Sequence, residues 1–260
     1  MFVPKEIAQN LAMLLSPVRA FASRWHHTGL MNNASDARRA FDDFAQYGSP
    51  VGKDVLELGP GQSSRVLQYA LDAGAKSAAG LDVADYFNGH PPPGIRLHIY
   101  DGKRMPLHDA SVDLIWSHSC FEHIRYPDLT VKECARALRP GGTMVCAIDL
   151  KDHYHAAPEQ AADHLRYSEW LWKAMKWNRS AYTNRLRASD WSNLFARCGF
   201  TVRLIRAETS EALRPVYRAK PDRRYSEADF VTTSVFAVLD RSDKSPVSAF
   251  SDLQRTATNR

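Results

Sequence analysis

The chain has 260 residues, with 34 Lys and Arg against 29 Asp and Glu, a formal net charge of +5, 44% hydrophobic and 24% charged residues. These proportions exclude disordered, collagen-like and disulfide-rich chains, and the length suits one sizeable core. No apolar run approaches the roughly 18–20 residues of a membrane span, and the stretch after Lys5 and Glu6, broken by Pro17 and Arg19, makes a poor signal peptide, so a cytoplasmic protein is expected.

In chain order, residues 1–50 read as a helical leader with a polar break at His26–Ser35, a second helix through Phe41 and Phe44, and a stop at Gly48-Ser-Pro50. From Asp54 short apolar runs alternate with helices. Strands are expected at 54–59, 77–83, 94–101, 111–119 and 143–149, with helices at 63–75 and 128–142. A helix around 162–177 follows, then one at 190–198 capped by Ser189, strands at 200–207 and 231–240, a long basic loop at 214–224 and a polar tail at 241–260. Alternation of this kind predicts an α/β, Rossmann-like fold: a mostly parallel sheet of seven strands with helices on both faces and an antiparallel last strand. The domain reading is a leader at 1–50, a core at 51–240 with an insert at 150–188, and a flexible tail at 241–260. The four cysteines (Cys120, Cys134, Cys146 and Cys198) form no C-x-x-C pair and read as reduced, buried hydrophobes.

The most informative segment is Val55-Leu-Glu-Leu-Gly-Pro-Gly-Gln-Ser-Ser64, between a strand and a helix. Gly59 and Gly61 allow a sharp turn and a ligand lying against the backbone. A dinucleotide fingerprint asks for Gly or Ala where Ser64 stands, and no Lys-Ser/Thr ending marks a phosphate loop. Glu57 repels a pyrophosphate but suits an ammonium group. Asp82, 23 residues after Gly59, can take ribose hydroxyls, and Asp101-Gly102 ends the third strand, where a carboxylate can meet an adenine amino group. An ammonium, a ribose and an adenine without a phosphate clamp describe S-adenosylmethionine.

These stretches, with GLDV (80–83), YDGKRMPLHDASVDLIWSHSCFEHI (100–124) and ECARALRPGG (133–142), resemble the class I S-adenosylmethionine-dependent methyltransferases over about residues 51–149. The resemblance implies S-adenosylmethionine as cofactor, with Glu57, Gly59, Pro60, Gly61, Asp82, Val83, Asp101, Gly102, Ser117 and His118 around it. The family's usual third loop glycine is Ser63 here. Methyl transfer needs alignment above all, and a hydroxyl acceptor needs a base as well. His153, after the fifth strand, is the first candidate and His118 the second; His123, in the pair Glu122-His123, has a structural reading too. Asp149, Asp152, His153, His155, Asp163 and His164 could ligate a metal, but their spacing matches no metal motif, and none is expected.

The insert carries Tyr154, Tyr167, Trp170, Trp172, Trp177 and Tyr182, which suit sugar stacking or the packing of a small lid. Arg185, Arg187 and the basic loop suggest an acidic acceptor, since residues 151–260 hold a net +6 and residues 51–150 a net −2. The D-x-x-D-H and Asn-Arg-Leu-Arg pattern resembles methyltransferases that act on surface polysaccharides. The expected reaction is therefore O-methylation of a sugar or other small-molecule or glycan hydroxyl. N- or C-methylation of a metabolite, an RNA methyltransferase, a nicotinamide-linked oxidoreductase and a silent binding module are the alternatives, and a nucleic-acid partner is disfavoured because no separate RNA-binding module is evident.

Overall fold

The computed structural model describes residues 2–18, 21, 33–87, 90–179 and 182–242. Most of the polar break in the leader and of the tail lie outside the described residues. A seven-stranded sheet in the order β3-β2-β1-β4-β5-β7-β6 forms the centre. Its strands are β1 (Asp54–Leu58), β2 (Ser77–Asp82), β3 (Ile95–Ile99), β4 (Val112–His118), β5 (Leu138–Asp149), β6 (Phe200–Thr209) and β7 (Thr232–Arg241). β1 to β5 pair in parallel, and β7 runs antiparallel between β5 and β6. The chain order reverses between β1 and β4, so the crevice beyond their carboxyl ends is where ligands of open α/β sheets bind.

Strand alternation sends two apolar sets to opposite faces. Leu56, Leu58, Ile115, Met144 and Cys146 face one layer, packed with Trp191, Phe195 and Val131. Those partners come from α4 (Pro127–Ala137) and α6 (Ala188–Arg197). Val55, Leu114, Trp116 and Val145 face the other, under α2 (Ala34–Ala45) and α3 (Arg65–Asp72). α2 begins where the Asn33 side chain accepts from the Ser35 amide. It presents Phe41 edge-on to Trp116 and stacks Phe44 upon it, at ring separations of 5.9 and 5.7 Å.

The remaining helices are α1 (Phe2–Ala12), α5 (Glu169–Lys176), α7 (Leu213–Ala219) and α8 (Glu227–Val231). α1 docks on α5, outside the sheet. Lys176, fully buried, pairs with Glu6, and Asn10 accepts from the Asn178 amide at 2.7 Å while donating to Ala174 O at 2.9 Å. These contacts join the leader to the insert. No helix among the described residues is long and apolar enough to cross a membrane.

Several local expectations are corrected. The helix expected over 128–142 stops at Ala137, because Pro140 disfavours helical backbone just before it, and Leu138-Arg-Pro-Gly-Gly142 instead enters β5 with a register shift against β4. The helix expected over 162–177 is a 3-10 turn, Asp163–Arg166, followed by α5, with Ser168 accepting from the Leu171 amide at the new start. Ser189 is not the cap of α6: Arg187 holds that position, and the Ser189 hydroxyl donates to Asp229 at 2.6 Å. The basic loop at 214–224 is largely α7, whose Arg214 and Arg218 pair with Glu227, while Arg224 pairs with Asp222.

Candidate functional site

The carboxyl ends of β1, β2, β4 and β5 deliver the expected residues to one edge. Gly59 (φ +76°) and Gly61 (φ +61°) turn the chain after β1 in the left-handed region, which asks for glycine. Gly59 has a second reason. A Cβ there would lie 2.3 Å from Cys120 Sγ and 2.6 Å from Cys120 Cβ. Pro60 covers Gly80 of β2, whose Cβ would meet the Pro60 ring at 3.0 Å, so loop and strand pack without a side chain between them. The approach of Cys120 to Gly59 and of Pro60 to Gly80 is not legible in the sequence, because both contacts cross between strands.

Adding a Cβ at Gly59 therefore meets an adverse φ, about 1–2 kcal/mol, and a clash that Cys120 cannot avoid by rotation, since its Cβ is also too close. Gly59→Ala is expected to cost at least about 2 kcal/mol in chemical denaturation. Pairing it with Cys120→Gly should recover the steric part and leave the φ part; strictly additive losses would show that the two residues do not press on one another.

Asp82 ends β2 with its carboxylate accepting from the Val83 amide at 2.7 Å and the Gly61 amide at 3.2 Å. It thereby ties the glycine loop to β2. Burial pushes its carboxyl up to about 6. Glu57 is 2% exposed, its Oε2 meets no hydrogen-bond partner, and burial, with Asp82 alongside, pushes it up to about 8. A buried carboxylate oxygen without a donor is the counterpart that an ammonium group fits. Val83, half exposed, faces Gly102, whose Cβ would stand 3.6 Å from the Val83 side chain, so the two line one wall.

Asp101 is placed differently from the rest. It is exposed, and its carboxylate accepts from the Lys103 and Arg104 amides at 2.9 and 3.0 Å, closing a turn. Ser117 is fully buried and donates to Leu58 O at 3.0 Å, tying β4 to β1. His118 points to the opposite face, 6.5 Å from the Phe44 ring, where burial lowers its pKa and keeps the ring neutral.

The folded Glu57 carboxyl holds its proton to a higher pH than an unfolded one does. Between roughly pH 4.5 and 8 the folded state binds more protons, so this stabilisation is full below the unfolded pKa and fades as pH rises through about 8. Thermal or urea unfolding from pH 7 to 8.5 should show the ligand-free protein losing about 1 kcal/mol more than its Glu57→Gln variant. Parallel pH profiles would contradict the raised carboxyl.

The acceptor edge lies after β4 and β5. Ser119 takes a left-handed φ of +48° and swings the chain into a 3-10 turn, Phe121–His123. His123 Nδ1 donates to Tyr182 O at 2.8 Å, and its ring meets His153 at 5.0 Å. His153 Nε2 is 3.8 Å from Asp149, and both line an open cleft of about 420 Å³ with Tyr154 and His155. The six acidic and histidine residues of this stretch do not form one group. Asp152 faces His155 at 3.4 Å and His164 at 3.9 Å, Asp163 pairs with Arg166, and Asp149, Asp152, His153 and His155 line the cleft while His164 is buried behind it.

The aromatic insert is mostly packing. Trp172 is buried, stacks on Tyr167 and donates to Thr183 O at 2.7 Å, and Trp177 meets Tyr182 and Tyr126. Trp170, 76% exposed, faces solvent. Arg185 and Arg187 do not form a basic face as expected: both are buried, Arg185 on Glu169 and the Tyr167 carbonyl, Arg187 on the carbonyls of Leu150, Phe230 and Thr232.

Residues 56–146, from within β1 to within β5, match the family model described as a methyltransferase domain. Over this stretch the chain is similar to S-adenosylmethionine-dependent methyltransferases. It is similar, at 35% identity over 103 residues, to the malonyl-acyl-carrier-protein O-methyltransferase of Methylococcus capsulatus, and at 29% over 104 residues to the ubiquinone biosynthesis O-methyltransferase of Aromatoleum aromaticum. The matches cover 36% and 35% of this chain and 37% and 42% of those proteins, so the chain spans well under two thirds of the relatives' length. The fold is shared with an S-adenosylmethionine dependent methyltransferase from Mesorhizobium loti (TM-score 0.55, 18% identity, 82% of this chain and 100% of that one). A cyclase, SpnF, has the same fold (TM-score 0.52, 15% identity, 78% and 80% covered). Fold alone therefore does not fix the reaction.

Proposed function

We propose that the chain is an S-adenosylmethionine-dependent methyltransferase acting on a hydroxyl group of a small-molecule or glycan acceptor. On this reading Glu57 receives the methionine ammonium, Gly59, Pro60 and Gly61 line the methionine and ribose, Asp82 takes the ribose hydroxyls, and Val83 and Gly102 flank the adenine. Bound there, the cofactor supplies an electrophilic methyl group on a cationic sulfur. Asp101, engaged in its turn, would reach the adenine only at the cost of those amide bonds. Ser117 acts by holding β4 against β1, and His118 closes the opposite face beneath α2.

One observation favours an oxygen acceptor: His153 lines the cleft at the carboxyl edge of the sheet, in ring contact with His123 and 3.8 Å from Asp149. A hydroxyl must lose its proton as the methyl group arrives, and this cluster is placed to take it. The O-methyltransferase names of two relatives agree. Arg185 and Arg187 are buried and the more exposed α7 arginines pair with Glu227, which weakens the basis for an acidic acceptor, whereas Trp170 offers a stacking surface for a sugar. The domain division, with the leader and the 150–188 insert closing over the acceptor side, belongs to the same proposal.

The test is incubation with methyl-labelled S-adenosylmethionine and a panel of nucleotide sugars, glycans and small phenols or alcohols, read by product mass. Label on an oxygen of one acceptor class supports the reading. Label on nitrogen or carbon replaces it, and binding of S-adenosylhomocysteine without transfer to any acceptor speaks for a binding module.

A further inference from the structure

Glu122 is the side chain that the scheme above leaves unused. It is 3% exposed, and neither carboxylate oxygen meets a hydrogen-bond partner. Burial raises its pKa and the Asp149 charge adds to that, while the nearby Glu122 and Asp149 backbone amides and Lys151 oppose it. A buried carboxylate of this kind is costly unless something compensates it. Its nearest ring nitrogen is His123 Nε2, 4.0 Å from Glu122 Oε1. Donors of Glu122, His123 and His153 all lie within 4.8 Å of one another.

The tautomer of His123 is decided by its neighbour. A carbonyl can only accept, so Nδ1 carries the proton given to Tyr182 O, and Nε2 carries the lone pair. A histidine whose distal nitrogen donates to a backbone carbonyl is the usual outer-shell arrangement of a metal ligand. Two donors on one tetrahedral ion stand about 3.4 Å apart, so a contraction of roughly an ångström, within reach of side-chain rotation at the exposed His153, brings the set to bonding distance.

The geometry points to a divalent-cation site formed by Glu122, His123 and His153 at the mouth of the acceptor cleft. Two imidazoles and one carboxylate favour zinc, manganese, cobalt or iron over magnesium or calcium. Three protein donors leave a coordination position open toward the cleft that Asp149 and His153 line. An acceptor hydroxyl placed there would bind the cation through oxygen and be fixed for in-line attack, and its proton would pass to Asp149 in the same cleft, because the cation then holds the His153 lone pair. That consequence rests on the proposed methyltransfer, but the binding of the cation does not.

Untagged protein, stripped with a chelator and titrated with Co²⁺, tests the site through the visible d–d absorption of cobalt. One Co²⁺ per chain with a visible band, displaced by Zn²⁺, is expected. Glu122→Gln and His153→Ala should each weaken binding at least about 10–100-fold. Calorimetry with S-adenosylhomocysteine on the same samples reports folding and the cofactor pocket separately. Normal cofactor binding without a cobalt band, or a band equally strong in both variants, would overturn the cation site and leave the methyltransferase reading intact. A cobalt band without cofactor binding would do the reverse.

Discussion

Asp82→Ala should weaken S-adenosylhomocysteine binding at least about 100-fold in calorimetry, while the protein stays folded by circular dichroism. Asp82 is half-buried at the end of β2. Its carboxylate already accepts from the Gly61 and Val83 amides, and it retains acceptor capacity for a ribose. Hydrogen bonds to a charged group contribute about 1.5–3 kcal/mol each, so two ribose hydroxyls account for roughly two to four powers of ten in affinity. The substitution also frees the Gly61 amide and loosens the glycine loop. Asp82→Asn separates the two effects, because an amide oxygen can still accept from Gly61 while the negative charge is gone. An intermediate loss for Asn and a larger one for Ala are expected. Unchanged binding in both would remove Asp82 from the cofactor site.

His153→Ala should lower the single-turnover rate of methyl transfer to a hydroxyl by about 10²–10⁴-fold, with S-adenosylhomocysteine affinity unchanged. His153 lies beyond β5, at the cleft, while the cofactor residues sit beyond β1 and β2. The separation predicts that the substitution acts on the chemical step alone. His118→Ala provides the contrast. That ring packs against Phe44 on the other face, so its loss should appear in stability more than in rate. A His153→Ala enzyme with full turnover would point to an acceptor that needs no proton removed, such as an amine.

The fold was readable because its signals are local. β1, β2 and β4 are short apolar runs bounded by turn residues, and Glu57, the Gly59-Pro-Gly61 turn and Asp82 fall at strand ends in a pattern that resembles S-adenosylmethionine-dependent methyltransferases. Trp116 could be placed on a strand but not beneath Phe41 and Phe44, because that pairing joins the leader to β4 across more than seventy residues. Boundaries went astray where a single residue overrode the pattern: Pro140 cut one helix short, and Ser168 restarted another. The charge reading failed for a different reason. Composition counts Arg185 and Arg187 as basic surface, yet both fold inward onto carbonyl oxygens. Glu122 was visible as a Glu-His pair, but its burial and its approach to His153 depend on the left-handed turn at Ser119.

Glu57, Asp82 and the glycine loop meet at the pocket proposed to hold the cofactor. Titration of the protein with S-adenosylhomocysteine at pH 7, in two buffers of different ionisation enthalpy, tests it most directly. One site per chain is predicted, with net proton release, because the raised Glu57 carboxyl must ionise to meet the ligand's ammonium group. Heats that show no binding, or binding with no dependence on the buffer, would contradict the assignment of Glu57 and the pocket it closes.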